Sequence, residues 1–136
     1  EVMAQYQGWS ITPYVSANVM RRQFIGSTLK TWDTGEPTLT TRFGAKHLLL
    51  LDNMNLMSDL YLRAATKAKD HSNPENKQHY AGWTTVNLSL STEFGNNDQY
   101  RINFDLNNIL NKRYQTAHES IPATGINAAV GLTWAF

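Results

Sequence analysis

A period of two, recurring along nearly the whole chain, constrains this sequence more than any other feature. Near the C-terminus Ile126, Ala128, Val130, Leu132, Trp134 and Phe136 share one parity, and Asn127, Ala129, Gly131, Thr133 and Ala135 the other. Such alternation describes a strand with one apolar and one polar face, not a helix of period 3.6. Tyr100, Ile102, Phe104 and Leu106 alternate with Arg101, Asn103, Asp105 and Asn107 in the same way. Val86, Leu88, Leu90 and Phe94 oppose Asn87, Ser89, Ser91 and Glu93; Leu56, Leu60, Leu62 and Ala64 oppose Met57, Asp59, Tyr61 and Arg63. Further upstream Trp9, Ile11, Val15, Ala17 and Val19 oppose Ser10, Thr12, Tyr14, Ser16 and Asn18. Phe43, Ala45, Leu49 and Leu51 oppose Arg42, Gly44 and Lys46, a pattern blurred only by Leu48 and Leu50. With a partial strand over 2–7, the tally is seven strands, expected at 2–7, 9–25, 39–51, 56–69, 83–94, 99–114 and 126–136. The class is all-β.

The connections alternate in size. Tight turns are expected at Gln7-Gly8, Asp52-Asn53-Met54-Asn55 and Gly95-Asn96-Asn97-Asp98, rich in the Gly, Asn and Asp that such turns favour. Long polar connections over 27–37, 71–81 and 115–124 carry Pro37, Pro74 and Pro122. In an antiparallel meander this order gathers every tight turn at one rim and every long loop at the other, the layout of an outer-membrane barrel.

Composition narrows the partners. Twelve Lys plus Arg against eleven Asp plus Glu leave a net charge of +1, which provides no footprint for nucleic acid. There is no cysteine, hence no disulfide, thiolate metal site or thiol nucleophile. A mean hydropathy of −0.45 matches no transmembrane helix, yet it is what alternating barrel strands average to. A soluble sandwich or lipocalin-like barrel also alternates. The expected lengths of 9–25 and 99–114 separate the two, because they exceed the roughly 9–11 residues that cross a bilayer and the roughly 5–6 of an ordinary strand.

Two features carry a family resemblance. The final strand ends in Phe136 with Val130, Leu132 and Trp134 at alternate positions, and resembles the C-terminal signal read by the barrel-assembly machinery. The stretch Asn108-Ile109-Leu110-Asn111-Lys112-Arg113-Tyr114 is similar to the Asn-Leu-Phe-Asp-Lys-x-Tyr signature in the penultimate strand of TonB-dependent outer-membrane receptors. It departs from that signature by Ile109 for Leu, Leu110 for Phe and Asn111 for Asp. Gly82-Trp83-Thr84-Thr85-Val86-Asn87-Leu88 resembles the family's Gly-Tyr-x-x-Val-Asp-Leu, and Pro37 leads into an earlier strand as in the family. The resemblance covers residues 82–136, with weaker similarity before. From the residues alone, Asn108 and Asn111 are expected to bond local backbone where the ladder ends, and Tyr114 to sit in an aromatic belt. That motif marks architecture and not a binding site.

Seven strands are an odd number, whereas a bacterial barrel with both ends in the periplasm needs an even one. The expectation is therefore that residues 1–136 form the C-terminal segment of a receptor barrel, of roughly 22 strands in the intact family. The earlier strands, the plug and the TonB-box segment then lie outside the segment. The alternative is a stand-alone small outer-membrane barrel: a passive pore, an adhesin or, last, an enzyme.

The resemblance implies uptake of a scarce iron chelate, a ferric siderophore or haem, across the outer membrane of a Gram-negative bacterium, energised by TonB. No cofactor is required and no catalysis is expected. Implied partners are the rest of the receptor's own barrel and plug, the TonB complex, the barrel-assembly machinery, lipid and lipopolysaccharide. The wall charges Arg42, Asp59, Arg63, Glu93, Arg101 and Asp105 are expected to face the plug or a water-filled lumen. In the loops, His71, His79 and His118 have imidazoles that suit haem iron or a transition metal. Arg21, Arg22 and Trp32, with Lys30, suit an anionic siderophore or lipopolysaccharide phosphate. His47 is expected on the lipid face. Asp70 with His71, and His118 with Glu119, imitate acid–His dyads, but neighbours along a strand point to opposite faces.

Overall fold

The computed structural model of the chain describes residues 1–8, 10–95, 99–116 and 122–135. Among them eleven strands and no helix are found. Seven strands form one antiparallel sheet: β1 (Val2–Gln5), β2 (Ile11–Val19), β5 (Leu39–Leu51), β6 (Met54–Ala65), β9 (Trp83–Phe94), β10 (Tyr100–Asn107) and β11 (Asn127–Trp134), side by side in that order. The remaining four are two short ribbons in the long connections, β3 (Phe24–Ile25) with β4 (Lys30–Thr31), and β7 (Ala68–Asp70) with β8 (Gln78–Tyr80). The all-β, seven-stranded antiparallel meander is as the alternation requires.

Register assigns the faces. Val15, Phe43, Leu62 and Val86 lie opposite one another across four strands, as do Leu106, Leu88, Leu60 and Ala45. The other face carries Tyr14, Gly44, Tyr61 and Asn87 in one cross-strand row, and Lys46, Asp59, Ser89 and Asp105 in the next. His47 falls on the apolar face, and Leu48 and Leu50 on the polar one.

Burial runs opposite to that of a protein with an oil core. The described apolar residues that are buried number four: Tyr14, Ala65, Ala68 and Tyr80. Phe43, Leu60, Val130 and Leu132 stand 57%, 54%, 73% and 72% exposed, while Asp59, Thr85 and Asn87 on the polar face are buried. The chain exposes 9844 Å², against about 7,200 Å² for a compact soluble monomer of this mass. An uncovered apolar face contributes to that excess. Phe94, Tyr100 and Trp134 stack along its tight-turn rim, with ring centroids 5.4 and 6.3 Å apart.

Five of the seven strands end differently from the alternation: the one expected over 2–7 is Val2–Gln5, the one expected over 126–136 is Asn127–Trp134, and the other three differ more. The strand expected over 9–25 is β2, which stops at Val19; Trp9 lies outside the described residues. Its partner β5 begins at Leu39, so the ladder closes with the bond from Met20 N–H to Thr38 O, and Phe24–Ile25 folds into a separate ribbon. The strand expected over 56–69 begins two residues earlier, at Met54, and stops at Ala65. The turn before it shrinks to Asp52-Asn53. The strand expected over 99–114 is β10, eight residues long, because Asn108 and Asn111 take left-handed φ of 53° and 49°. The strands that exceed the roughly 9–11 residues needed to cross a bilayer are instead β5, β6 and β9, which run 13, 12 and 12 residues. β5 and β9 have the bounds that the alternation predicts.

Candidate functional site

Two groups of polar side chains stand out, one on the polar face of the sheet and one at the long-loop rim. The first centres on Asp59. Tyr14 Oη donates to both carboxylate oxygens at 2.9 Å, Arg42 Nη2 reaches Oδ2 at 2.7 Å, and Arg42 Nε donates to Tyr14 Oη at 2.9 Å. The guanidinium also lies 3.7 Å from the centroid of the Tyr61 ring, and Lys46 Nζ lies 5.2 Å from that of Tyr14. Gly44, opposite Tyr14 and Tyr61, makes this possible, since a Cβ there would stand 2.7 Å from Tyr14 Oη and from Tyr61 Cβ. A buried carboxylate is thus held by one phenol and one guanidinium, with its charge compensated.

The remaining wall charges pair across neighbouring strands. Arg101 forms an ion pair with Glu93 directly opposite, with Nε donating to Oε1 at 2.7 Å. Asp105 accepts from Ser89 Oγ at 2.6 Å. Arg63 lies 5.9 Å from the centroid of the Trp83 indole. All six predicted wall residues share the polar face, but they form separate pairs and not one cluster. Tyr14 and Tyr61, which complete the Asp59 network, escaped the sequence reading because a tyrosine at a polar-parity position looks like any other half-exposed aromatic.

The second group sits where the loops spanning 20–38 and 66–82 meet. Gly35 N–H donates to Lys69 O and His71 N–H to Asp33 O, each at 2.8 Å, which seats the first loop along β7. A bridge between Thr34 and Asp70 continues that pairing. Asp33 Oδ2 lies 3.0 Å from His71 Nδ1, and His71 Nε2 faces His79 Nε2 at 3.4 Å. His71 thus pairs with Asp33 and not with its neighbour Asp70, whose Oδ1 accepts from Ser72 N–H and Oγ. Arg21 lies over Trp32 at 4.7 Å, and Arg21, Arg22, Trp32, Asp33 and Glu36 line a cleft of 230 Å³ in the same loop. The predicted His71 and His79 are brought together, as are Arg21, Arg22 and Trp32. His118 and Glu119 lie outside the described residues. Asp33, 38 positions from His71, carries no local signal that would reveal the pairing.

The stretch 108–114 is a structural knot. Asn108 is 2% exposed; its Nδ2 donates to Lys112 O at 2.8 Å and Thr124 O at 3.2 Å, and its Oδ1 accepts from Lys112 N–H at 2.8 Å. Asn108 N–H donates to Asn87 Oδ1 at 3.1 Å, and Asn111 Oδ1 accepts from Ile126 N–H at 3.1 Å. Tyr114 stacks on Trp83 with centroids 4.4 Å apart. These bonds tie the end of β10 to β9 and to the start of β11, as expected of a motif that marks architecture. On β11, Val130, Leu132 and Trp134 are exposed along one face, and Phe136 lies outside the described residues. Comparison with family models, curated proteins and solved structures finds no match to this chain.

Proposed function

We propose that the chain is wall of an outer-membrane β-barrel, and specifically the C-terminal part of a TonB-dependent receptor that takes up a ferric siderophore or haem. The observation that carries the reading is the inverted burial: large aliphatic side chains exposed along one face, charged and amide side chains packed along the other. Water penalises such a face by about 25 cal/mol per Å², whereas hydrocarbon does not. Strands of 12 and 13 residues reach across a bilayer, and the Phe94, Tyr100 and Trp134 stack suits the headgroup layer. Among the described residues β1 and β11 each have a single neighbour. In lipid every unpaired edge group costs several kcal/mol, so further strands of the same barrel close the wall.

In this reading the polar face looks onto the plug, the Asp59 network braces the wall, and the rim loops meet the ligand first. The proximity of Arg21 and Trp32 suits stacking and charge pairing with an anionic chelate. The test is iron-limited growth of the source bacterium, with the gene deleted and restored, on a panel of ferric siderophores and haem, with and without a functional TonB. Loss of growth on one chelate, reproduced by loss of TonB, is the expected result. Recovery of the protein in the soluble fraction, or uptake independent of TonB, overturns it.

A further inference from the structure

We infer that His71 and His79 form a two-nitrogen site for a divalent transition cation of the kind imidazole prefers, copper, nickel or zinc, with Asp33 holding His71 from behind. The pairing of Lys69 with His79 places positions 71 and 79 on one face of the β7–β8 ribbon as diagonal neighbours, within reach of long side chains. The turn between them is held by its own side chains: Asp70 Oδ1 accepts from Ser72 N–H at 2.9 Å, and Asn73 Oδ1 from Glu75 N–H at 3.0 Å. Asp33 Oδ2, 3.0 Å from His71 Nδ1, keeps the proton on that nitrogen and leaves the Nε2 lone pair toward His79.

The spacing fits a metal ion. A tetrahedral cation bound by two imidazoles at roughly 2.0–2.1 Å needs nitrogens about 3.3 Å apart; the Nε2 atoms are 3.4 Å apart. The ring centroids are 5.6 Å apart, so the rings meet edge-on, nitrogen toward nitrogen, and each ring turns by about 35° to bring its lone pair onto an ion shared with the other. Among the described residues no group of three or more His, Cys, Asp or Glu is arranged to hold a metal. Two protein nitrogens therefore leave the other coordination positions to water or to the donor atoms of an incoming chelator. The inference stands on loop geometry and does not depend on the transport reading.

The test titrates the whole protein in detergent with Cu²⁺ and records its electron paramagnetic resonance. The expected result is one copper per chain with coupling to two nitrogens. His71→Gln and His79→Gln each remove one nitrogen and weaken binding at least tenfold; Asp33→Asn weakens it about 10- to 100-fold. His47→Gln, on the apolar face, leaves it unchanged. A signal and affinity unaltered in the His71→Gln/His79→Gln double variant overturn the inference. So does a haem spectrum showing both histidines as axial ligands. On the unaltered protein, Zn²⁺ is expected to protect both histidines from diethyl pyrocarbonate, and reaction at an unchanged rate would equally refute the site.

Discussion

Two polar stretches at the long-loop rim, 70–80 and 108–114, resemble each other in composition and differ in what their side chains do. In 108–114 the two asparagine side chains are turned onto backbone. Asn108 and Asn111 bond main-chain groups of the chain around them, and Asn108 is all but shut from water. In 70–80 the turn is likewise braced by Asp70 and Asn73, but the imidazoles of His71 and His79 are left facing each other and solvent. The first stretch uses its asparagines to satisfy backbone, and the second turns two ring nitrogens toward each other. A polar loop motif therefore reads as structure when its amides close a ladder, and as a site when its donor atoms converge on space instead of backbone.

The sharpest way to break that contrast is Asn108→Ala. It removes three side-chain hydrogen bonds and puts a residue that avoids positive φ at 53°. A loss of about 3 kcal/mol is expected, read from the denaturant midpoint in detergent. Asn108→Gly, which tolerates the angle, should lose less; equal losses would show that φ contributes nothing. Next comes Asn87→Ala, which strips the partner from Asn108 N–H and the bond from Nδ2 to Thr85 Oγ1. It should cost about 2 kcal/mol and speed hydrogen exchange at that amide. Tyr114→Ala loses the stack on Trp83 and should cost about 1 kcal/mol, visible in the same midpoint. Smallest is His71→Gln in the other loop, expected to move the midpoint by less than about 0.5 kcal/mol while weakening copper binding at least tenfold. A stability loss there as large as at Asn108 would erase the contrast.

Much of the fold was legible in the residues. The bounds of β5 and β9 coincide with the alternation, because β6 lies between them and pairs with all of β9 and with β5 from Thr40 to Leu51. The ends of β2 and β10 were overrun for a physical reason. Alternation reports which face a residue prefers; it does not report where a partner strand stops or where an Asn takes the left-handed region. The ribbons β3–β4 and β7–β8 were hidden by their length of two or three residues, too short to show a period. Among the site residues, the sharing of one face by Arg42, Asp59, Arg63, Glu93, Arg101 and Asp105 followed from parity. Which of them pair did not, since a diagonal contact such as Arg42 with Asp59 depends on register.

The sequence by itself determined the class, the order of the strands and the chemistry of each face, because parity along a strand is a local property that neighbours in sequence impose on one another. Only the tertiary structure decided that Tyr14 shares its phenol with Asp59, 45 positions away, and that Asp33 reaches across from another loop to hold His71. Those contacts depend on the register of paired strands and on two connections folding against each other. No alternation within a single segment encodes such distances.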